Sequence, residues 1–271
     1  MDRRKKSKIL SFIIISLILS IMIIGTLITD EMMAPNFKEK NQFPSLSHPF
    51  GTDWLGRDMF FRTVKGLRNS IVIGTIASLV SSVIAIIVGG LAGTMPKLVD
   101  DFVRMAIDLV MGIPHLIFII LISVFVGKGA KGIIIGVALT HWVSLSRVIR
   151  NEVLQVRNEQ YVLISRRFGK NNWYIFKNHM VPIVLPQYII GLVLMFPHAI
   201  LHEASVTFLG FGLSPETAAI GIILSESMKH LINRMLHLAF FPGISLVILV
   251  LLINKLGENL TLILNPYLNR D

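Results

Sequence analysis

Long apolar runs alternate with short polar segments along the whole chain. The first run, residues 9–28, contains about 20 apolar residues, which is long enough to cross a membrane as a helix. The later apolar runs cover residues 71–95, 103–126, 133–145 or slightly beyond, 183–208 and 240–256. This pattern predicts an all-α polytopic membrane protein with six transmembrane helices.

The same pattern divides the chain into three parts. Residues 1–29 are predicted to form an N-terminal tail and the first transmembrane helix. Residues 30–70 are predicted to form an external loop, with an amphipathic helix lying at the membrane interface from Asp58 to Ser70. Residues 71–271 then form a five-helix core, in which the third span should kink at residues 112–114. The small residues of the second span indicate an interior helix that packs closely against its neighbours.

A polar, basic loop at residues 147–182 separates the fourth and fifth predicted spans. Its basic residues, opposed only by Glu152 and Glu159, are Arg147, Arg150, Arg157, Arg166, Arg167, Lys170 and Lys177. The positive-inside rule places such a loop in the cytoplasm, and six spans then place both termini there too. Apolar residues at three- and four-residue steps predict two short amphipathic helices, joined by a turn at Gly169. We expect this loop to be a docking surface for another protein.

Composition agrees with a membrane protein and narrows its chemistry. The chain is 53% hydrophobic and 15% charged, with a mean hydropathy of +0.69 and a net charge of +10. Because the basic surplus lies beside apolar spans, membrane topology and anionic lipid headgroups explain it better than nucleic acid does. The sequence contains neither cysteine nor a phosphate-binding Gly-x-x-x-x-Gly-Lys-Ser/Thr loop. Any ATP hydrolysis must therefore be carried out by a partner.

Four segments of the sequence resemble the permease subunits of ATP-binding-cassette importers of the dipeptide/oligopeptide/nickel class. They are residues 48–70 with a Gly-Thr-Asp-x-x-Gly-Arg-Asp motif, residues 160–182, residues 203–215 and residues 241–266. The resemblance is to the second permease type of these importers, and it implies the type I importer permease fold with a cytoplasmic coupling-helix loop.

The resemblance also implies partners and a location. A second, homologous permease would complete a heterodimer, two ATPase subunits would use ATP and Mg²⁺, and an extracytoplasmic binding protein would deliver the solute. The chain itself would be a multi-pass protein of the bacterial cytoplasmic membrane, with no catalytic residue, cofactor or firm metal site.

In the coupling loop, the resemblance implies contact with an ATPase through Tyr161, Ser165, Arg166, Arg167, Gly169 and Lys170. The family usually has Glu-Ala-Ala six residues before its glycine, whereas this chain has Leu163, Ile164 and Ser165. Either apolar packing with Arg166 and Arg167 replaces the missing acidic contact, or the ATPase surface differs.

Four histidines, His115, His141, His198 and His202, fall within or at the ends of predicted spans, where ionisable groups usually face an interior or a wet cavity. His198 and His202 share a helix face, and Glu203 is adjacent, so these three are candidates for the translocation path and for contact with a metal chelate. The alternative, which we favour for an i,i+4 histidine pair, is that each imidazole hydrogen-bonds a neighbouring helix, or that His202 and Glu203 lie at the external interface.

Asp53, Arg57 and Asp58 lie in the Gly-Thr-Asp/Gly-Arg-Asp motif and are candidates for an external gate or a binding-protein contact. Their alternative role is structural, with Asp and Arg pairing to fix a turn, and we favour that role.

Two other functions compete with transport by an importer permease. An intramembrane metal-dependent enzyme could use His198, His202 and Glu203, but the sequence offers no obvious third strong ligand nearby. A secondary transporter is disfavoured because no inverted repeat is evident. For the importer permease, the solute stays open between a di- or oligopeptide and a nickel or metallophore chelate.

Overall fold

The computed structural model describes residues 3–94, 97–230 and 234–264, which form ten α-helices and no β-strand. The helices are α1 (Arg3–Leu27), α2 (Met59–Thr94), α3 (Lys97–Met111), α4 (His115–Val126), α5 (Ala130–Arg157), α6 (Gln160–Arg167), α7 (Asn172–Ile175), α8 (Val181–Phe208), α9 (Ile220–Met228) and α10 (His237–Leu264). Within these ranges, five helices are long and apolar enough to cross a membrane, and the bent pair α3–α4 is a sixth candidate.

The third predicted span is broken into two helices. α3 and α4 meet at an angle of 92° around Gly112-Ile113-Pro114. Proline lacks an amide hydrogen and disfavours helical backbone at the residue before it, so the helix ends here. The predicted kink is therefore present and is sharper than expected.

The packing shows that this broken pair crosses from one end of the bundle to the other. Ile73, early in α2, shares a core cluster with Ile133, early in α5. Gly93, late in α2, lies against Val153, late in α5. α2 and α5 therefore run in the same direction, and α3–α4 must return the chain between them.

The other long helices fix the two ends of the bundle. α8 runs opposite to α5, because Val184 near its start packs with Val153 while Ile200 near its end lies against Gly74. Lys65 at the start of α2 donates a hydrogen bond to the carbonyl of Ile28 at 2.7 Å, just after the end of α1. We call this the Met59 end of the bundle, and the opposite end, where α6 lies, the α6 end.

At the α6 end, Arg4 in α1 donates to the carbonyl of Ile263 in α10, with a nitrogen–oxygen distance of 3.2 Å. The first and last described helices therefore begin and end together, on the side of the bundle that carries α6.

Several helices are longer than predicted. The expected interfacial helix is not separate, because α2 runs without interruption from Met59 to Thr94. α5 extends to Arg157 and so contains the first residues of the basic loop. The second short helix expected after Gly169 is instead the start of a 36-residue helix, Trp173–Phe208, with one π-helical turn.

Helix α10 also continues past the predicted end of the sixth span, to Leu264. Met95, the predicted end of the second span, and residues 265–266 of the fourth motif lie outside the described residues.

The interior role predicted for the second span is confirmed. The small residues on one side of α2 are buried, namely Gly74, Ala77, Ser78, Ser81, Ser82, Ala85, Gly89, Gly90 and Gly93. They allow α2 to approach α5 and α8 closely, as expected for helices that pack within a membrane. By contrast, α1 leaves most of its apolar side chains exposed, on the outside of the bundle.

Candidate functional site

A cavity of about 420 Å³ lies between α4, α5 and α8 and contains four histidines. Its lining consists of His115, His141, Ser144, Leu145, Val148, Gln187, Ile190, Gly191, Leu194, Met195, His198 and His202. None of these residues is an aspartate, glutamate, lysine or arginine. The cavity is open on one side, and His198 is exposed there.

The histidines come from three different helices. His115 begins α4, His141 lies in α5, and His198 and His202 are one turn apart in α8. The imidazole ring centres are separated by 5.3 Å for His115–His141, 5.0 Å for His141–His202 and 6.2 Å for His115–His202. The break at Pro114 is what turns α4 so that its first residue reaches this cavity.

Glu203 does not join the histidine cluster that the sequence suggested. Its side chain is fully buried and accepts hydrogen bonds from the hydroxyl groups of Ser70 at 2.6 Å and Thr207 at 3.1 Å. Successive residues of a helix point about 100° apart, so His202 and its neighbour face different sides of α8. The structure therefore separates Glu203 from the two candidates His198 and His202, which share the cavity with His115 and His141.

A second charged cluster, at the Met59 end, contains the predicted residues Asp53 and Arg57. The fully buried Asp53 carboxylate accepts from Arg57 Nε at 2.6 Å and from Arg62 Nη1 at 2.8 Å. Both guanidinium groups also bind Glu226 of α9, at 3.1 and 2.8 Å. The Asp–Arg pairing expected from the motif is thus part of a four-residue ionic network that joins the segment before α2, and the start of α2, to α9.

Asp58, the third predicted residue of this motif, binds different partners. Its Oδ1 accepts from the amide nitrogens of Phe60 at 2.8 Å and Phe61 at 3.2 Å, so it caps the first turn of α2. Its Oδ2 lies 2.7 Å from His48 Nδ1. Asp58 therefore fixes the start of a transmembrane helix, and its contacts are internal to the chain.

The predicted coupling residues lie on α6 and the turn that follows it. Gly169 has a φ of +74°, the amide of Lys170 binds the carbonyl of Ser165 at 3.1 Å, and the amide of Gly169 binds the carbonyl of Arg166 at 2.9 Å. This is a Schellman motif, in which a residue with positive φ ends the helix, and glycine adopts that conformation without steric cost. The turn predicted at Gly169 is present.

One side of α6 is anchored and the other is free. Val162 is fully buried, and Ser165 Oγ lies 2.9 Å from His179 Nε2 in the π-helical turn between α7 and α8. Partial burial and the nearby Glu159 raise the pKa of the Tyr161 phenol. The anchoring fixes the orientation of α6 against the bundle.

The free side carries both apolar and basic groups. Ile164 is 51% exposed and Phe168, one turn later, is 80% exposed, and Arg166, Arg167 and Lys170 are exposed beside them. We call Leu163, Ile164 and Phe168, with Arg166 and Arg167, the α6 surface. Large apolar groups at this exposure on a polar end of the molecule are typical of an interaction surface.

Four residues of these two sites were not identified as site residues from the sequence. Arg62 and Glu226 complete the ionic network, and Gln187 and Met195 line the cavity. The i,i+4 spacing of Asp58 and Arg62 would have suggested the wrong partner, because Arg62 binds Asp53 and Glu226. Nothing in the sequence alone connects α9 to the segment before α2.

A family model described as binding-protein-dependent transport system inner membrane component matches residues 85–270. The dipeptide transport system permease protein DppC of Bacillus subtilis (strain 168) is 33% identical, over 99% of this chain and 85% of that protein. The oligopeptide transport system permease protein OppC of the same organism is 32% identical, over 99% of this chain and 88% of that protein. The nickel transport system permease protein NikC of Escherichia coli (strain K12) is 31% identical, over 83% of this chain and 81% of that protein.

Solved structures share the fold at lower sequence identity. An inward-facing structure of the MetNI methionine ABC transporter matches 76% of this chain and 98% of that chain, with a TM-score of 0.62 and 18% identity. An amino acid ABC transporter crystallised with histidines matches 73% of this chain and 91% of that chain, with a TM-score of 0.57 and 14% identity. These similarities identify the type I importer permease fold.

Proposed function

The chain belongs to the family of binding-protein-dependent transport system inner membrane components, and on that premise we propose that it forms half of a solute pathway driven by partner ATPases. It is a permease subunit of an ATP-binding-cassette importer for solutes of the peptide and nickel type. The pathway, the coupling surface and the partners named below are the parts that we propose.

The cavity between α4, α5 and α8 is the proposed pathway in this chain. Polar side chains from three helices meet in this cavity, as expected for a route through a membrane protein. Since the cavity is open on one side, we propose that a second, homologous permease covers it. A solute would then move between two subunits rather than through one.

The α6 surface is the proposed contact with an ATPase, and it is the observation that carries this function. An eight-residue helix is held by Val162 and Ser165 on one side and leaves Ile164 and Phe168 free on the other. A rigidly anchored helix can pass a displacement on to the spans that follow it. ATP binding would close the ATPase pair and rock the bundle between inward- and outward-facing states.

The exposed apolar residues of α6 explain how docking proceeds without the family's usual glutamate. Leu163 and Ile164, which replace Glu-Ala, are 46% and 51% exposed. We propose that they bury apolar area in the ATPase, with Arg166 and Arg167 supplying the charged contacts at the rim. The ATPase groove should correspondingly contain apolar residues and carboxylates.

The remaining partners and the location follow from the same assignment. We propose a bacterial cytoplasmic membrane location, with the α6 end and both termini in the cytoplasm. An extracytoplasmic binding protein would deliver the solute at the Met59 end. ATP and Mg²⁺ would be used by the ATPase subunits.

An Ile164→Asp substitution tests the coupling surface in the complete transporter reconstituted into liposomes. Because a carboxylate cannot be buried in an apolar groove without a large desolvation cost, we expect loss of at least 90% of ATP-driven uptake, roughly a tenfold change or about 1.4 kcal/mol. The variant should still insert into the membrane, since Ile164 is exposed.

Asn158→Asp is the matched control, because it adds the same charge just before α6 without removing an apolar group. It should keep most of the uptake. Full uptake by the Ile164→Asp transporter, or uptake by wild-type protein without ATP hydrolysis, would contradict the proposed function.

A further inference from the structure

We propose that the four-histidine cavity binds a chelated late first-row transition metal ion, such as nickel(II), during transport. This rests on the proposed function and names the class of solute that the same pathway takes. The site consists of His115, His141 and His202, with His198 at its open side and Met195 in its wall.

The spacing of the rings fits a shared ion. With metal–nitrogen bonds of about 2.0–2.1 Å, two imidazoles on one ion have ring centres roughly 4.5 Å apart at right angles and roughly 5 Å apart in tetrahedral geometry. The separations here are 5.0, 5.3 and 6.2 Å. Three histidines on three helices are therefore near the distances of a common metal ion without being closed around one.

The open arrangement favours a chelated ion over a bare one. In the described part of the chain, no group of three His, Asp or Glu side chains is positioned to hold a metal ion by itself. The cavity nevertheless has a volume of about 420 Å³, which leaves room for a small organic chelator around the metal. An ion that keeps its chelator needs only one or two imidazoles as protein ligands. It therefore dissociates more easily than an ion held by a full set of protein ligands.

Hydrogen bonding leaves lone pairs on the imidazoles. The Thr140 hydroxyl has one proton, which it donates to the Gly136 carbonyl at 3.0 Å, so it accepts a hydrogen bond from His141 Nδ1 at 3.0 Å. His141 Nε2 then carries a lone pair, and this is how partners of a histidine commonly fix the tautomer that binds a metal. Nδ1 of His115 is buried without a hydrogen-bond partner.

The lining discriminates against a zwitterionic peptide in this half of the pathway. A free peptide carries an ammonium and a carboxylate, which need charged or strongly polar partners when water is removed. Among the described residues, the wall of the cavity contains no Asp, Glu, Lys or Arg, and Glu203 is bound to Ser70 and Thr207 elsewhere. Imidazole is instead a ligand that suits nickel, copper, zinc and iron ions.

Binding of nickel(II)–nitrilotriacetate to the purified transporter complex, without a histidine tag, tests the inference. This chelate leaves two coordination positions open for imidazole. We expect X-ray absorption of the wild-type complex to show imidazole coordination. We also expect a His141→Gln/His202→Gln double variant to bind roughly tenfold or more weakly, because both central ligands are removed.

His230→Gln is the matched control, since His230 stacks on Trp54 at 4.2 Å, away from the cavity. It should bind the chelate as the wild type does. If the double variant fails to assemble, the single variants His115→Gln and His202→Gln replace it, and each should weaken binding. Equal binding by wild type and cavity variants, or no imidazole coordination in the wild type, would overturn the metal assignment.

A second readout separates this inference from the proposed function. ATP hydrolysis coupled to a binding protein should persist in the double variant, because the histidines are remote from α6. If coupled ATP hydrolysis is intact in the wild type but nickel binding does not depend on the histidines, only the metal assignment fails. If the wild type shows no ATP-coupled uptake of any solute, the proposed function fails whatever the nickel result.

Discussion

At the scale of single residues, the ionic network around Asp53 shows how charge is accommodated at the Met59 end. Asp53 accepts four hydrogen bonds, two from the amides of Leu55 and Arg57 at 2.9 Å and two from guanidinium groups. Arg57 and Arg62 are therefore neutralised within the fold. This reduces the conflict between basic residues in the predicted external segment and the positive-inside rule.

We expect Asp53→Asn to destabilise the protein more than Glu226→Gln does. Asp53 is fully buried, and an amide at that position would face two guanidinium groups, a loss of roughly 3–5 kcal/mol for a broken buried ion pair. The Glu226 side chain is 22% exposed. When Glu226 is neutralised, both arginines still pair with the Asp53 carboxylate. Thermal unfolding of the two purified variants would measure the difference, and an equal loss would show that Asp53 is not the centre of the network.

The histidine cavity shows which residue-scale features could be predicted from the sequence. The i,i+4 spacing correctly placed His198 and His202 on one side of α8, because helix geometry alone determines it. Glu203 was misplaced because adjacency in sequence was taken for adjacency in space. His115 and His141 were recognised as intramembrane histidines, but only tertiary packing brings them to the same cavity.

At the scale of helices, the close contact between α2 and α5 depends on glycine at particular positions. A Cβ atom on Gly89 would lie 2.5 Å from the carbonyl oxygen of Ser146 and 3.1 Å from Ile149 Cβ. A Cβ atom on the adjacent Gly90 would meet only a Phe176 ring carbon, at 3.8 Å. Two neighbouring glycines of one helix therefore have different roles.

Gly89→Ala and Gly90→Ala should consequently change stability in opposite directions. The first forces α2 and α5 apart and should cost about 1–3 kcal/mol, as overpacking does. The second fits the available space and should gain up to about 1 kcal/mol from the better helix propensity of alanine. Thermal unfolding of both variants provides the comparison, and a similar loss in both would refute the close approach of α2 and α5.

Helix boundaries were the least predictable feature at this scale. The break at Pro114 was evident because a proline beside a glycine has a local backbone cause. The continuity of α2 and α5 was missed because a change from polar to apolar composition does not by itself end a helix. Where no residue breaks the helix, backbone hydrogen bonding continues it past the membrane surface.

At the scale of the whole molecule, the direction of each helix determines which segments share a side of the membrane. The parallel packing of α2 and α5 requires the broken pair α3–α4 to cross the bundle, which makes six crossings. A re-entrant α3–α4 would make five and would move every later segment to the other side. Hydropathy predicted the number of spans correctly, but it could not show that α3 and α4 together form one of them. Neither α3 nor α4 is long enough to cross alone.

Because the chain contains no cysteine, single cysteines can report this topology without prior mutation. Leu46→Cys and Lys128→Cys should react with a membrane-impermeant maleimide from the same side, and Lys170→Cys should react only from the opposite side. All three side chains are exposed, so labelling depends on sidedness rather than burial. Leu46 precedes the broken pair and serves as the reference, since its side is the same for five or six crossings. If Lys128→Cys reacts from the side opposite to Leu46→Cys, α3–α4 is re-entrant, and the α6 surface cannot face the cytoplasm together with the N-terminus.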